Sequence, residues 1–137
     1  MVKKFSNYPL YAKSIIFIYT AGYLVMMFYH IDEVLQLGFS SREIPSTINI
    51  WYDALGFFIV PLAVILLYVR PAIGLTFSLG VMMLTFIFDA LIRYIMLEGH
   101  YANWFYYFEM VFALFVLTSY PVMRFLVKPK KSDKHFA

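Results

Sequence analysis

Four long apolar stretches alternate with short polar segments along the 137-residue chain. Each stretch is close to the roughly 20 residues that a helix needs to cross the hydrocarbon of a bilayer. Runs such as residues 15–18 and 62–67 lack the apolar–polar alternation of barrel strands. A helix also satisfies every backbone amide within its own segment, which lipid requires. The pattern predicts an all-α integral membrane four-helix bundle, with helices at about residues 10–37, 51–69, 72–97 and 102–127.

The polar links between these stretches predict how the helices connect. The first link is long, and its beginning, Asp32 to Leu37, should prolong the first helix until Gly38 ends it. Arg70-Pro71 and Glu98 to Tyr101 are short links. Short links join antiparallel neighbours, so we expect helices 2, 3 and 4 to pack in chain order.

Two prolines interrupt the apolar stretches. We expect Pro61 to kink the second helix, and Pro121 to bend or end the fourth. Residues 1–137 are predicted to form a single transmembrane domain, of which residues 128–137 are a flexible basic tail.

The composition excludes an ordinary water-soluble domain. Hydrophobic residues make up 63% of the chain and charged residues 14%, whereas a soluble domain is nearer half apolar and a quarter charged. A soluble fold of this size has too little interior to hide so much apolar surface. The chain has no cysteine, which excludes disulfides, thiolate metal sites and cysteine nucleophiles.

The basic residues predict the orientation in the membrane. If the amino terminus is inside, nine of the eleven lysines and arginines are cytoplasmic, and only Arg42 and Arg93 are not. The nine are Lys3, Lys4, Lys13, Arg70, Arg124, Lys128, Lys130, Lys131 and Lys134. We therefore expect both termini in the cytoplasm and a multi-pass protein of the inner, or plasma, membrane. The basic tail then acts as a topology determinant and lies beside the headgroups of the lipid bilayer. Nucleic acid is not an expected partner.

The acidic residues are as unevenly distributed as the basic ones. In this orientation only Asp133 is cytoplasmic, and the other seven of the eight acids lie outside or in the outer half of the membrane. They are Asp32, Glu33, Glu43, Asp53, Asp89, Glu98 and Glu109. The positive-inside rule does not require this, because acids contribute little to it. The excess points to a polar region in the outer half of the bundle.

Three ionisable residues fall deep within the third and fourth helices. Asp89 and Arg93 are four residues apart and share a helix face, and the hairpin should bring Glu109 to their level. Such residues are costly in lipid unless paired or hydrated, so they should face the bundle interior, with Arg93 between the two acids. The cluster either binds a ligand, proton or cation, or fixes helix register without doing chemistry.

Other candidate site residues lie nearer the outer boundary. Asp53, His30 and Glu33 complete the proposed ligand, proton or cation site, although solvation at the interface also explains Asp53. His30, Asp32, Glu33 and His100 are weak candidates for metal ligands, and the two histidines for haem ligands. The sequence requires no cofactor.

Periodicity predicts which helix faces turn inward. The inward stripes combine small and polar residues, which let membrane helices approach one another and form hydrogen bonds. They are Tyr19, Tyr23, Met26, His30 and Glu33 on the first helix, Gly74, Ser78, Thr85, Asp89 and Arg93 on the third, and Tyr106, Glu109, Ala113 and Tyr120 on the fourth. The stripes outline an outward-facing polar cavity over an apolar floor.

No catalytic motif accompanies these residues, and no motif is specific enough to assign a family. The sequence contains no Gly-rich phosphate loop, nucleophile elbow or His-Glu-x-x-His motif, so catalytic residues stay unknown and an enzyme is not the favoured reading. The leading hypothesis is an accessory subunit or small carrier that binds a partner, small ligand or cation in its outer half. It would act as a homo-oligomer or within a larger membrane complex. A membrane enzyme or redox component for a lipid-soluble substrate, and a purely structural subunit, are the alternatives.

Overall fold

A computed structural model describes residues 5–38, 46–91 and 104–127. Within these ranges the fold is all-α, with a short 3₁₀ turn at Phe5–Asn7. The helices are α1 Leu10–Leu37, α2 Ser46–Ala54, a π-helical segment Leu55–Ile59, α3 Val60–Val69, α4 Pro71–Ala90 and α5 Trp104–Val127. Four helices of the described chain are long and apolar enough to cross a membrane, because α2, the π segment and α3 run on as one span, Thr47–Val69. The predicted fold class, a four-helix membrane bundle, is confirmed.

Glycine and proline set two of the helix ends. Gly38 ends α1 with φ at 85°, a left-handed backbone conformation that glycine adopts without strain, and its N–H donates to the Val34 carbonyl at 2.8 Å. Arg70 alone separates α3 from α4, since Pro71 cannot continue a helix but suits the first position of the next one. The tight turn predicted at this link is confirmed.

The π segment ends at Ile59, two residues before Pro61. The proline has no N–H to bond the Phe57 carbonyl, and its ring would collide with that carbonyl in a regular α-helix. A wider turn relieves the collision, and the Val60 N–H accordingly reaches back to the Leu55 carbonyl. Pro121, by contrast, lies inside α5, which continues to Val127.

The four spans pack in chain order, and the last closes on the first. α3 contacts α4, α4 contacts α5, and α1 contacts both α3 and α5. Hydroxyl groups join neighbours: Thr20 and Tyr68 link α1 to α3 at 2.9 Å, and Thr76 and Tyr120 link α4 to α5 at 3.2 Å. Consecutive spans are therefore antiparallel, as predicted for helices 2 to 4.

Two tyrosines of α1 reach across the core. The Tyr19 hydroxyl lies 2.8 Å from the Ser119 hydroxyl and donates to the Val116 carbonyl at 3.1 Å. The Tyr23 hydroxyl donates to the Ser78 carbonyl of α4 at 3.1 Å. These bonds satisfy polar groups that lipid could not, so they favour one helix arrangement over others.

The apolar side chains face outward. Leu10, Phe28, Leu35, Phe58 and Phe125 are between 69% and 81% exposed, an arrangement suited to lipid and unfavourable in water. The two tryptophans, Trp51 and Trp104, are also mostly exposed. Each lies in the first turns of its span, Thr47–Val69 and Trp104–Val127 respectively. Tryptophan at this level is typical of the membrane interface.

The predicted inward stripes are confirmed on α1 and α4 and corrected on α5. Tyr19, Tyr23, Met26 and His30 are buried on α1 and Glu33 is partly buried, while Gly74, Ser78, Thr85 and Asp89 are buried on α4. On α5 only Glu109 of the predicted stripe is buried, whereas Tyr106, Ala113 and Tyr120 are half-buried. The fully buried face is mostly apolar: Phe105, Phe112, Val116, Met123 and Val127. The prediction for α5 was wrong because it assumed that polar residues mark the buried face. On α5, aromatic rings fill the interior as well as the lipid-facing side.

Candidate functional site

Among the residues that the structure describes, the carboxyl side chains lie at one end of the bundle and the lysine and arginine side chains at the other. We call the end with Asp89 and Glu109 the acidic end, and it also holds His30, Glu33 and Asp53. The other end, with Lys13, Arg70 and Arg124, is the basic end. At the acidic end His30 is 1% exposed, Glu109 3%, Asp89 5% and Asp53 7%, whereas the Glu33 side chain is 20% exposed. Four of the five predicted site residues described here are therefore interior groups.

Asp89 and Glu109 line one small cavity between α4 and α5. Its volume is about 10 Å³, close to the space that one water molecule needs. Thr85, one turn before Asp89, also lines it, and its hydroxyl donates to the Val81 carbonyl at 2.9 Å. That donation leaves the Thr85 oxygen available as an acceptor. The predicted convergence of Asp89 and Glu109 at one level is thus observed.

An apolar cleft of about 310 Å³ adjoins this cavity on the same α4–α5 seam. The cleft and the cavity share four lining residues: Met82, Phe86, Met110 and Ala113. Met83, Leu114 and Leu117 extend the cleft along the lipid-facing side. The two carboxyl groups therefore lie behind an apolar opening that faces the membrane.

His30 occupies a separate, close-fitting niche between α1 and the π segment. Its ring centre is 4.8 Å from that of Tyr52 and 6.3 Å from that of Phe105. A side chain at Gly56 would lie 2.5 Å from the imidazole carbons, so only glycine permits this approach. The Nδ1 atom is 4.0 Å from the nearer Glu33 oxygen, too long for a hydrogen bond. Packing, more than polar contact with Glu33, holds the ring in place.

Apart from Asp53, the polar face of α2 was not predicted from the sequence. Asn49 and Tyr52 are 1% and 4% exposed, and together with Asp53 and Gly56 they line the inner side of the second span. The sequence places Asn49 in a link because hydropathy begins only at Trp51, but the helix begins at Ser46. The spacing of these residues could have predicted the face, because positions 49, 52, 53 and 56 follow the helical repeat. Ile50 and Trp51 point outward and are 60% and 59% exposed.

The remaining predicted residues do not extend the site within the described chain. Arg93 and His100 lie outside the described residues, so the expected placement of Arg93 between the acids and the haem pair remain predictions. Asp32 is turned to the surface, where it accepts a hydrogen bond of 2.8 Å from Gln36. Among the residues that the structure describes, no three histidine, aspartate or glutamate side chains gather as a metal site would require.

Comparison with known proteins finds no matching family model, no matching curated protein and no matching solved structure.

Proposed function

We propose that the acidic end binds a small cation or a proton within the membrane, through Asp89 and Glu109. The observation that supports this is their shared cavity, in which two carboxyl groups, 5% and 3% exposed, lie beside the Thr85 hydroxyl. Three side chains with oxygen atoms surround a space that fits one small ion. Their oxygens can coordinate a hard cation, or the two carboxyl groups can share a proton.

Electrostatics explains how a proton or cation would stabilise two such acids. A charge at this depth costs several kcal/mol unless it is paired or hydrated, and two adjacent carboxylates also repel one another. A proton or cation between them removes both costs. Arg93, one helical turn after Asp89 in the sequence, would neutralise one carboxylate and leave the other for the exchangeable ion.

The proposed setting is the inner, or plasma, membrane with both termini in the cytoplasm. The acidic end, which holds His30, Glu33 and Asp53 as well as the acid pair, then faces the exterior. A small carrier or an accessory subunit would both use such a site. Four helices leave little room for a hydrated pathway in one copy, so transport would proceed through a homo-oligomer or a larger complex.

The test is cation-dependent stability of the purified chain. The melting temperature Tm is measured in sodium, lithium and potassium chloride against choline chloride at equal ionic strength, over a range of pH. An ion at ten times its Kd stabilises the folded state by about 1.4 kcal/mol, which raises Tm by several degrees. We expect Asp89→Asn and Glu109→Gln each to abolish this rise and its pH dependence.

Asp32→Asn is the matched control, because it removes one carboxylate from the same end of the bundle but from an exposed position. It should retain the response of the native chain. A native chain whose Tm is the same in every salt and at every pH would refute the proposal. Folded D89N and E109Q variants with an unchanged response would also refute it, and would leave the acids a structural role.

A second candidate is a lipid-soluble ligand, such as a quinone, whose polar group reaches the acids. The observation favouring it is the apolar cleft of about 310 Å³, a volume within the range of small-molecule sites, which shares four residues with the acid cavity. A short-chain quinone added in choline chloride distinguishes the two candidates. A rise in Tm under that condition, without any response to small cations, would favour the lipid-soluble ligand.

A further inference from the structure

An open groove of about 820 Å³ runs along the surface of α4, away from the acid cavity. Its floor is formed by Ala72, Thr76, Gly80 and Leu84, which recur every fourth residue along one exposed helix face. Gly80 leaves an open space there, since a Cβ atom at this position would meet nothing within 4 Å. The small residues Ala72, Thr76 and Gly80 therefore leave a channel that the helix itself does not fill.

The groove has the length of one lipid chain. Twelve residues separate Ala72 from Leu84, which corresponds to about 18 Å along the helix axis. One leaflet of a bilayer contributes about 15 Å of hydrocarbon, half of the usual thickness. The groove thus extends from the basic end to about the middle of the membrane.

One positive charge marks the end of the groove. Arg124 is the only charged residue among the described residues that line it. The hydrogen bond between Thr76 and Tyr120 sets the register of α4 and α5, so Arg124, one turn after Tyr120, lies level with Ala72. Arg124 is exposed and makes no salt bridge with any described residue. A guanidinium at this position matches a phosphate in charge and geometry.

We propose that the groove binds a phospholipid of the leaflet at the basic end, with one acyl chain along α4 and its phosphate on Arg124. The lipid is anionic, because Arg124 presents a positive charge to its headgroup and four more lysines follow Arg124 in the sequence. In the proposed orientation this leaflet is the cytoplasmic one. The site is independent of the acid pair and would persist whether or not that pair binds a cation.

Native mass spectrometry of the full chain tests the proposal. The protein is released from mild detergent after incubation with equal amounts of phosphatidylglycerol and phosphatidylcholine. We expect one phosphatidylglycerol per chain to be retained in preference to phosphatidylcholine. Arg124→Gln should weaken retention about fivefold, the factor that one basic residue near a membrane surface typically contributes. Gly80→Leu should abolish retention, because the new side chain would occupy the groove, where a Cβ atom at this position meets nothing within 4 Å.

Two controls separate specific retention from general effects. Lys13→Gln removes the same charge from the basic end on α1, and Ile87→Phe enlarges an exposed side chain of α4 that does not line the groove. Both should bind lipid as the native chain does. Equal retention of the two lipids, or equal losses in controls and test variants, would overturn the proposal. A dimer that G80L converts to a monomer would also overturn it, because the groove would then hold a second copy of the chain.

Discussion

At the scale of single residues, the acidic end depends on close backbone approach as much as on charge. His30 fits its niche because Gly56 has no side chain, and the rings of Tyr52 and Phe105 bound the imidazole on other sides. A polar ring in a membrane interior needs such a fixed position, since few alternative partners exist in lipid. Gly56 is therefore a positioning residue for His30.

This placement predicts that Gly56→Ala destabilises the protein by about 1 to 3 kcal/mol, the usual cost of overpacking a filled interior. Its Cβ atom would lie 2.5 Å from the imidazole, which neighbouring rings prevent from moving away. Equilibrium unfolding in mixed micelles measures the change. Gly80→Ala is the matched control and should be neutral or stabilising, since its Cβ atom meets nothing within 4 Å. Equal stabilities for G56A and G80A would show that the niche is not tight.

The sequence predicted several of these residues but not their surroundings. Steps of three and four placed His30 and Asp89 on inward faces because helical periodicity is a local property. The dependence of His30 on Gly56 joins residues far apart in sequence, and no pattern within either segment encodes it. The inward position of Asn49 and Tyr52 was missed because the second span was defined by its hydropathy. Polar residues on the inner face of a helix lower the local hydropathy although they belong to the helix.

At the scale of elements, the second span differs from the other three in its π segment. Leu55–Ile59 lies between the polar face of α2 and the regular helix α3. A π turn contains one residue more than an α turn, so it shifts the face that the preceding helix presents. The irregularity that Pro61 requires therefore also aims Asn49 and Asp53 into the bundle. A kink was predictable from the proline, but the widened turn was not, because a proline can bend a helix without a π turn.

Deletion of a single residue should distinguish the π turn from ordinary helix. Both deletions are made in a Pro61→Ala background, which removes the ring collision that the π turn relieves. Removing Phe58, a lipid-facing residue of the π segment, then leaves a regular α turn and keeps both flanking helices in register. Removing Ile65, a lipid-facing residue of α3, rotates part of the span by about 100° and turns polar residues toward lipid. We expect the first variant to remain monodisperse in gel filtration and the second to aggregate. Aggregation of both to the same extent would contradict this account of the segment.

At the scale of the whole molecule, the described part of the bundle has a mostly apolar core with a few buried polar groups and an apolar outer surface. Its described acids lie at one end and its described lysine and arginines at the other. The number of spans followed from the sequence because lipid imposes length and hydropathy on each segment separately. The shapes of the cavities did not follow, since they depend on how four helices meet. The orientation that the basic residues predict decides whether the acid pair is loaded from outside the cell, which makes it central to the proposed function.

Cysteine labelling measures that orientation most directly, because the chain has no cysteine of its own. Single variants Asn7→Cys, Gln36→Cys and Ser132→Cys are treated in intact cells with a membrane-impermeant maleimide, then again after permeabilisation. The account predicts that Gln36→Cys, at the acidic end, reacts in intact cells, and that the other two react only after permeabilisation. Labelling of Asn7→Cys and Ser132→Cys from outside, with Gln36→Cys protected, would reverse the acidic end and contradict the account. Labelling of Asn7→Cys and Ser132→Cys from opposite sides would contradict the four spans themselves.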